Sequence, residues 1–281
     1  MQLTSRMALW CYEQVPHGID RVLGSTALTA GDGPVAIADG ARWYVRHHDP
    51  EIAGPAAGQL VAETRMLGIP GLSFASCSRV DDDVVGQLTE LDHLRTLDLF
   101  NTPVGDAGLA SLARRLPAVT SLNLAGTQVT DAGMAHVAKL AALEILHLGW
   151  TEIGDRGLAA LAALPALDTI ILHGARVTDA GMAELARFPA VEAIDVQETG
   201  VGDPGVAALV PLAPRLRRLY LGYTAITDGC VESLRQLTRL RTLMLRATRV
   251  APAHDAELAR ALPELGGVGT GPGGTQEGLI R

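Results

Sequence analysis

From residue 94 the apolar positions of this chain follow one pattern. It runs L-x-x-L-x-L, then a threonine, then V-T-D-x-G-L and a closing L-A-x-L-P. Its first position falls at Leu94, Val119, Leu143, Leu167, Val191, Leu216 and Leu240, in steps of 25, 24, 24, 24, 25 and 24 residues. Chance does not keep a period that well, and a period of this length marks units that bury their apolar faces only against their neighbours. An earlier copy places Leu72, Phe74, Val80, Asp82, Val85 and Leu88 in the matching slots, and Leu265 to Val268 begins an eroded copy after the last. Leu122 and Leu124 alternate with period two, whereas Met134, Val137 and Leu140 recur at helical spacing. Each unit therefore reads as a short strand followed by a helix.

Polar residues occupy fixed slots between strand and helix. An aspartate recurs at Asp82, Asp106, Asp131, Asp155, Asp179, Asp203 and Asp228. It is expected to be the helix N-cap, its carboxylate accepting N–H groups of the first turn, rather than part of a metal-binding run. Glycine follows at Gly108, Gly133, Gly157, Gly181 and Gly205, where neighbouring turns approach too closely for a side chain, and Cys230 replaces it later. Thr102, Thr127, Thr151, Thr199, Thr224 and Thr248 share one slot, with Ala175 the exception. A hydroxyl there is expected to hydrogen-bond backbone in the buried turn.

The L-x-x-L-x-L strand pattern resembles the leucine-rich repeat family. The T-D-x-G-L segment is most similar to the cysteine-containing and GALA-like subtypes, related to ribonuclease-inhibitor-like repeats, with threonine where those carry cysteine or asparagine. The resemblance covers residues 69–265 and implies an α/β solenoid, curved, with a parallel sheet on its concave face and helices outside. About eight repeats are expected within residues 67–265. The resemblance also implies protein binding. No F-box signature precedes the repeats, so ubiquitin-ligase adaptor work is not supported.

Residues 1–66 do not repeat, and the expectation is a cap on the first repeat. Val35 to Ile37, the Asp39-Gly40 turn and Arg42 to His47 read as a hairpin, and Leu60, Val61, Thr64 and Leu67 as a helix. Residues 266–281 hold seven glycines and read as a flexible tail.

Composition narrows the function classes. Apolar residues make up 48% of the 281, charged ones 19% and aromatics only 4%, so the core is aliphatic. The net charge of −8 argues against a general nucleic-acid binder. No apolar stretch of about 18 residues exists to span a membrane, and no signal peptide is read at Met1 to Val15. Three cysteines, Cys11, Cys77 and Cys230, at no metal-ligand spacing suit a reducing cytoplasm. Arginine outnumbers lysine 22 to 1, which suggests a high-GC bacterial gene.

Catalytic signatures are missing. The single lysine, Lys139, follows no glycine-rich loop, and no H-E-x-x-H, C-x-x-C or G-x-S-x-G occurs. Gly71-Leu-Ser73-Phe-Ala75 is a repeat strand, and Gly31-Asp-Gly33 reads as a turn. His47-His48-Asp49 is the one cluster that invites chemistry, but adjacent strand residues point to opposite faces. No cofactor or metal is expected. An enzyme with its chemistry in the N-terminal 66 residues is the alternative reading, and an RNA or nucleotide binder using C-terminal arginines is the third.

The leading reading is a non-enzymatic, cytoplasmic recognition module holding a protein or peptide on the sheet face. Eight strands at about 4.8 Å give a floor roughly 38 Å long. Phe100, Trp150, Tyr220 and Tyr223 fall in outward slots although leucine builds the core, and exposed aromatics mark binding surfaces. His147, Ile171, His173 and Asp195 stand beside them. Residues 67–213 carry 8 basic and 18 acidic side chains, whereas residues 214–260 carry 9 and 4. Arg217, Arg218, Arg241, Arg246 and Arg249 cluster near the last strands. Arg218 and Arg246 are expected to orient a partner whose acidic segment lies toward that end.

Overall fold

The computed structural model describes residues 2–3, 9–13, 21–25, 35–36, 42–47, 49, 51–52, 54–266 and 268–269. The chain divides into two compact units, Met1–Gln128 and Val129–Arg281.

In the first unit, β1 (Gln2–Leu3), β2 (Leu9–Glu13), β3 (Arg21–Ser25), β4 (Val35–Ala36) and β5 (Trp43–His47) precede the helix α1 (Gly54–Leu67). Then come β6 (Gly71–Ser73), α2 (Asp82–Gly86), β7 (Thr96–Asp98), α3 (Asp106–Arg115) and β8 (Ser121–Asn123). The strands β5 to β8 pair in parallel, Leu72 opposite Val45 and Leu97, and Leu97 opposite Leu122. The hairpin expected between Val35 and His47 is corrected. β5 already has β2 on one edge and β6 on the other, so β4 pairs with β1 instead. The Asp39-Gly40 turn lies outside the described residues.

The second unit continues with α4 (Met134–Val137), β9 (Ile145–His147), α5 (Asp155–Leu161), β10 (Thr169–Ile171), α6 (Asp179–Leu185) and β11 (Ala193–Asp195). It ends with α7 (Asp203–Ala208), β12 (Arg218–Tyr220), α8 (Val231–Gln236), β13 (Thr242–Met244), α9 (Asp255–Ala261) and β14 (Val268–Gly269). β9 to β14 are consecutive parallel neighbours. The eroded last copy thus still supplies a strand, and the start of the presumed flexible tail pairs Val268 with Leu243. Residues 270–281 lie outside the description. No helix among the described residues is long and apolar enough to cross a membrane.

One repeat shows why the sequence folds this way. Leu143, Leu146, Leu148, Ile153, Leu158, Leu161 and Leu164 are all fully buried, and the same slots are buried in neighbouring units. Each such side chain contributes about 1.5–3 kcal/mol by leaving water. Phe74 and Phe188 are the large aromatics among them. The three cysteines are buried and unpaired. Burial pushes the Cys11 and Cys77 thiols up to about 11 and Cys230 to about 12.

After each strand the chain passes through one residue in the left-handed region. Ser76, Asn101, Gly126, Trp150, Gly174, Glu198, Tyr223 and Ala247 all have positive φ, between 51° and 68°. The cause is hydrogen bonding: the N–H of this residue still donates sideways to the next repeat, as Trp150 does to the His173 carbonyl at 2.8 Å and Tyr223 to Arg246 at 2.9 Å. The chain must then turn at once to reach the threonine slot. There the hydroxyl does what was expected, donating to a strand carbonyl: Thr102 to Leu99 at 2.8 Å, Thr151 to Leu148 at 2.6 Å and Thr224 to Leu221 at 2.6 Å.

The aspartate slot is corrected. Asp106, Asp155, Asp179 and Asp203 are the first helical residues, and the cap positions before them are Gly105, Gly154, Thr178 and Gly202. The carboxylates of Asp131, Asp155, Asp179 and Asp203 instead reach the next repeat. Asp131 accepts from the Gly154 N–H at 2.8 Å, Asp155 from Thr178 at 2.9 Å, Asp179 from Gly202 at 2.7 Å and Asp203 from Thr227 at 2.7 Å. An adjacent helix start presents unpaired N–H groups and a positive dipole end one strand spacing away, so the carboxylate staples repeats together. The glycine slot follows from this. A Cβ at Gly108 would stand 2.5 Å from the Asp82 carboxylate, and one at Gly157 would stand 2.6 Å from that of Asp131. In the repeat containing Cys230 this role moves one residue back, to Gly229, 2.5 Å from the Asp203 carboxylate by the same measure.

Candidate functional site

Parallel register places His147, Ile171, Asp195, Tyr220 and Met244 in one lateral row across β9 to β13 of the second unit. All five side chains are half-buried. The left-handed slot below that row carries Trp150 and Tyr223, 56% and 48% exposed, the largest exposed hydrophobic side chains of the described residues apart from Met66. The residue in this conformation stands at the lip of the sheet, which lifts an aromatic ring away from the leucine core.

The Trp150 indole meets the His173 ring with centroids 4.6 Å apart and planes inclined by 51°. It also covers Gly174: a Cβ there would stand 2.7 Å from the indole Cδ1. The sequence thus provides both the ring and the gap it covers. On its far side His173 faces Glu198, with Nε2 3.4 Å from Oε1. Trp150, His173 and Glu198 form a chain across three repeats.

At the other end Arg246 holds its guanidinium 5.9 Å from the centre of the Tyr223 ring, in cation–π range. Arg246 is exposed, whereas Arg218 is half-buried beside Tyr220 with Asp168 and Glu192 near it. Burial pushes the Arg218 guanidinium down from its ordinary value and the Tyr220 hydroxyl up.

Asp195 does not simply face outward: its carboxylate accepts the Gln197 N–H at 3.0 Å and the Gln197 side-chain amide at 3.2 Å. Asp98 and Asn123 accept the same N–H two residues on in their own repeats, so this slot stabilises the strand end. The arginine cluster also divides. Arg217 pairs with Glu192 at 3.1 Å, and Arg239 and Arg241 close on Glu264 at 2.6 and 3.0 Å. Phe100 is half-buried in the first unit, where its N–H donates to Asp98 at 3.0 Å. His47 accepts the Asp49 N–H on Nδ1 at 3.0 Å, and His48 lies outside the described residues. Among the described residues no group of three His, Cys, Asp or Glu side chains is placed to hold a metal ion. Gly174, Gln197 and Glu198 belong to the site although composition and aromatic placement did not single them out. A lone glycine in the slot held by Trp150 and Glu198 on either side was the available signal.

A family model described as a leucine-rich repeat matches residues 89–113, 117–138 and 141–162. None of the curated proteins matches the sequence. Among solved structures, internalin C2 of Listeria monocytogenes is similar with a TM-score of 0.61 at 22% identity, over 77% of this chain and 93% of that one. A second internalin of the same organism gives 0.56 at 18% identity, over 78% of this chain and 64% of that one. The matched repeats, the parallel strands alternating with helices and these likenesses agree on a solenoid-like fold of the leucine-rich-repeat type.

Proposed function

We propose that this chain is a non-enzymatic protein-recognition module that holds its partner on the sheet face of the second unit. One observation carries the reading: Trp150 and Tyr223 stand exposed on left-handed backbone that costs a bulky L-residue about 1–2 kcal/mol, where the other repeats carry Ser76, Asn101, Gly126, Gly174, Glu198 and Ala247 and no aromatic. A fold that needed only packing at this slot has better residues for it. The mixture of Trp, Tyr, His and Arg is the chemistry of interface hot spots. Three buried, unpaired thiols support a reducing, cytoplasmic setting.

The test is affinity purification from the native cells with the wild-type chain and with the Trp150→Ala, Tyr223→Ala double variant, quantified by mass spectrometry. A protein retained by the first and depleted at least 30-fold by the second is the expected result. Retention unchanged by the double variant, together with loss on charge reversal of Arg114 and Arg115 on α3, places recognition elsewhere and ends the reading.

A further inference from the structure

The sheet face of the second unit has different chemistry at its two ends, and their separation is fixed by register. At one end the exposed indole of Trp150 lies against His173. Toward the other, Arg246 is exposed with its guanidinium over the Tyr223 ring, 5.9 Å from its centre. Arg217 and Arg241, which point the same way in sequence, are already matched by Glu192 and Glu264. Of the acids between the two ends, Glu198 faces His173 and Asp195 accepts from Gln197. A carboxylate arriving from outside therefore finds at Arg246 an exposed guanidinium beside an aromatic ring, a group able to bind it bidentately.

Trp150 and Tyr223 occupy the same slot three strands apart, about 14 Å at the usual strand spacing of about 4.8 Å, and Arg246 belongs to the fourth strand, about 19 Å away. An extended chain advances about 3.3–3.6 Å per residue, so these spans correspond to roughly four to six residues. A helix, rising about 1.5 Å per residue, needs about nine to thirteen.

We propose that the partner presents an extended segment crossing the strands, which seats an apolar side chain on Trp150 and His173 and, four to six residues along, an aspartate or glutamate on Arg246. This rests on the sheet-face reading above and adds the occupant's conformation, charge and spacing. The charge gradient supports the direction, with the acidic residue toward the C-terminal end of the sheet.

The experiment is selection of a displayed library of random sixteen-residue peptides on the immobilised full chain. Enriched peptides are then made synthetically and titrated against wild type, Trp150→Ala and Arg246→Glu. Both substituted residues are exposed, and circular dichroism checks that the variants stay folded. The expected result is enrichment of an apolar residue with Asp or Glu four to six positions away. Trp150→Ala should weaken these peptides about 30-fold, and Arg246→Glu about 10-fold or more. Selection on Arg246→Glu should then replace the acid with Lys or Arg. Enrichment with no acid at that spacing, with a basic residue there on wild type, or with helical spacing of nine to thirteen overturns the extended acidic occupant. In those cases continued sensitivity to Trp150→Ala leaves the sheet-face reading standing. Enriched peptides insensitive to both variants overturn both readings, and absence of enrichment overturns the peptide occupant.

Discussion

Asp179 and Gly205 share one space: the carboxylate Oδ1 of Asp179 accepts the N–H of Gly202 at 2.7 Å and of Gly205 at 3.0 Å. A methyl group on Gly205 would stand 2.5 Å from that same oxygen. The residues lie 26 positions apart in neighbouring repeats, so each is unintelligible within its own repeat.

Gly205→Ala should therefore destabilise by about 1–3 kcal/mol, because something in a packed turn must shift. Asp179→Ala removes the acceptor of two N–H groups and should cost a similar 1–3 kcal/mol. With the carboxylate gone, the added methyl loses its closest clash and meets only the Met182 and Val201 side chains at 3.0 Å. The double variant should be more stable than the sum of the two single effects predicts. Urea titration of the four proteins measures this, and strict additivity would mean that the two residues act independently.

The threonine slot gives a prediction of opposite sign. Ala175 is buried where Thr151 and Thr199 on either side donate to Leu148 and Val196 carbonyls. Ala175→Thr should place a hydroxyl on the Leu172 carbonyl and stabilise by up to about 1 kcal/mol, and Thr224→Val should lose about the same. A lower melting temperature for Ala175→Thr would show that this repeat is too tightly packed to accept the threonine geometry.

These cases show what the chain makes legible. The period of 24–25 residues, the strand leucines and the hydroxyl slot rest on local pattern, and the structure has them where the pattern puts them. The aspartate was assigned to its own helix because capping is ordinarily local; its donors lie one repeat further on. The arginine cluster reads in sequence as one group for the same reason, whereas two of its members have acidic partners about one period away. Glu192 and Arg217 are 25 residues apart, and Arg241 and Glu264 are 23 apart, so opposite charges one period apart were the readable signal. The Val35–His47 hairpin followed from an Asp-Gly pair, but strand edges are claimed by partners distant in sequence. The gap at Gly174 became meaningful only once Trp150 was seen to lie over it.

Asp195 gives a pH prediction. Burial raises its carboxyl above the ordinary carboxylate value, against the opposing Gln197 hydrogen bonds and the charge of His173. The folded state thus binds this proton more tightly than the unfolded one. Its contribution is fully present below the unfolded value of about 3.9 and is lost as pH rises through the folded value. Asp195→Asn keeps an oxygen for the Gln197 N–H, as Asn123 does for Ala125 at 3.0 Å. The variant should be more stable than wild type at pH 7 and should converge toward it in acid. A wild-type advantage at pH 7 in paired denaturation curves would show that the negative charge, held beside His173, stabilises the fold.

Trp150→Gly separates folding from recognition. The side chain is half-exposed, so its removal loses little burial, while its φ of 51° falls where Gly126 and Gly174 serve other repeats. Relief of about 1–2 kcal/mol of left-handed strain is set against about 0.5–1 kcal/mol of extra unfolded-chain entropy and the lost contact with His173. Stability should change by no more than about 1 kcal/mol. Leu148→Ala in the same repeat, at a fully buried position, should cost about 2–5 kcal/mol. Binding should respond in reverse order, with Trp150→Gly losing at least about 30-fold under conditions where both variants remain folded. Gly174→Ala supplies the complementary perturbation: its Cβ would meet the indole at 2.7 Å, so the ring must leave His173. Changed tryptophan emission and weakened binding, with the Trp150 side chain intact, are then expected. If Trp150→Gly instead unfolds like the leucine variant while binding persists, the indole serves to cover Gly174, and recognition lies on another surface.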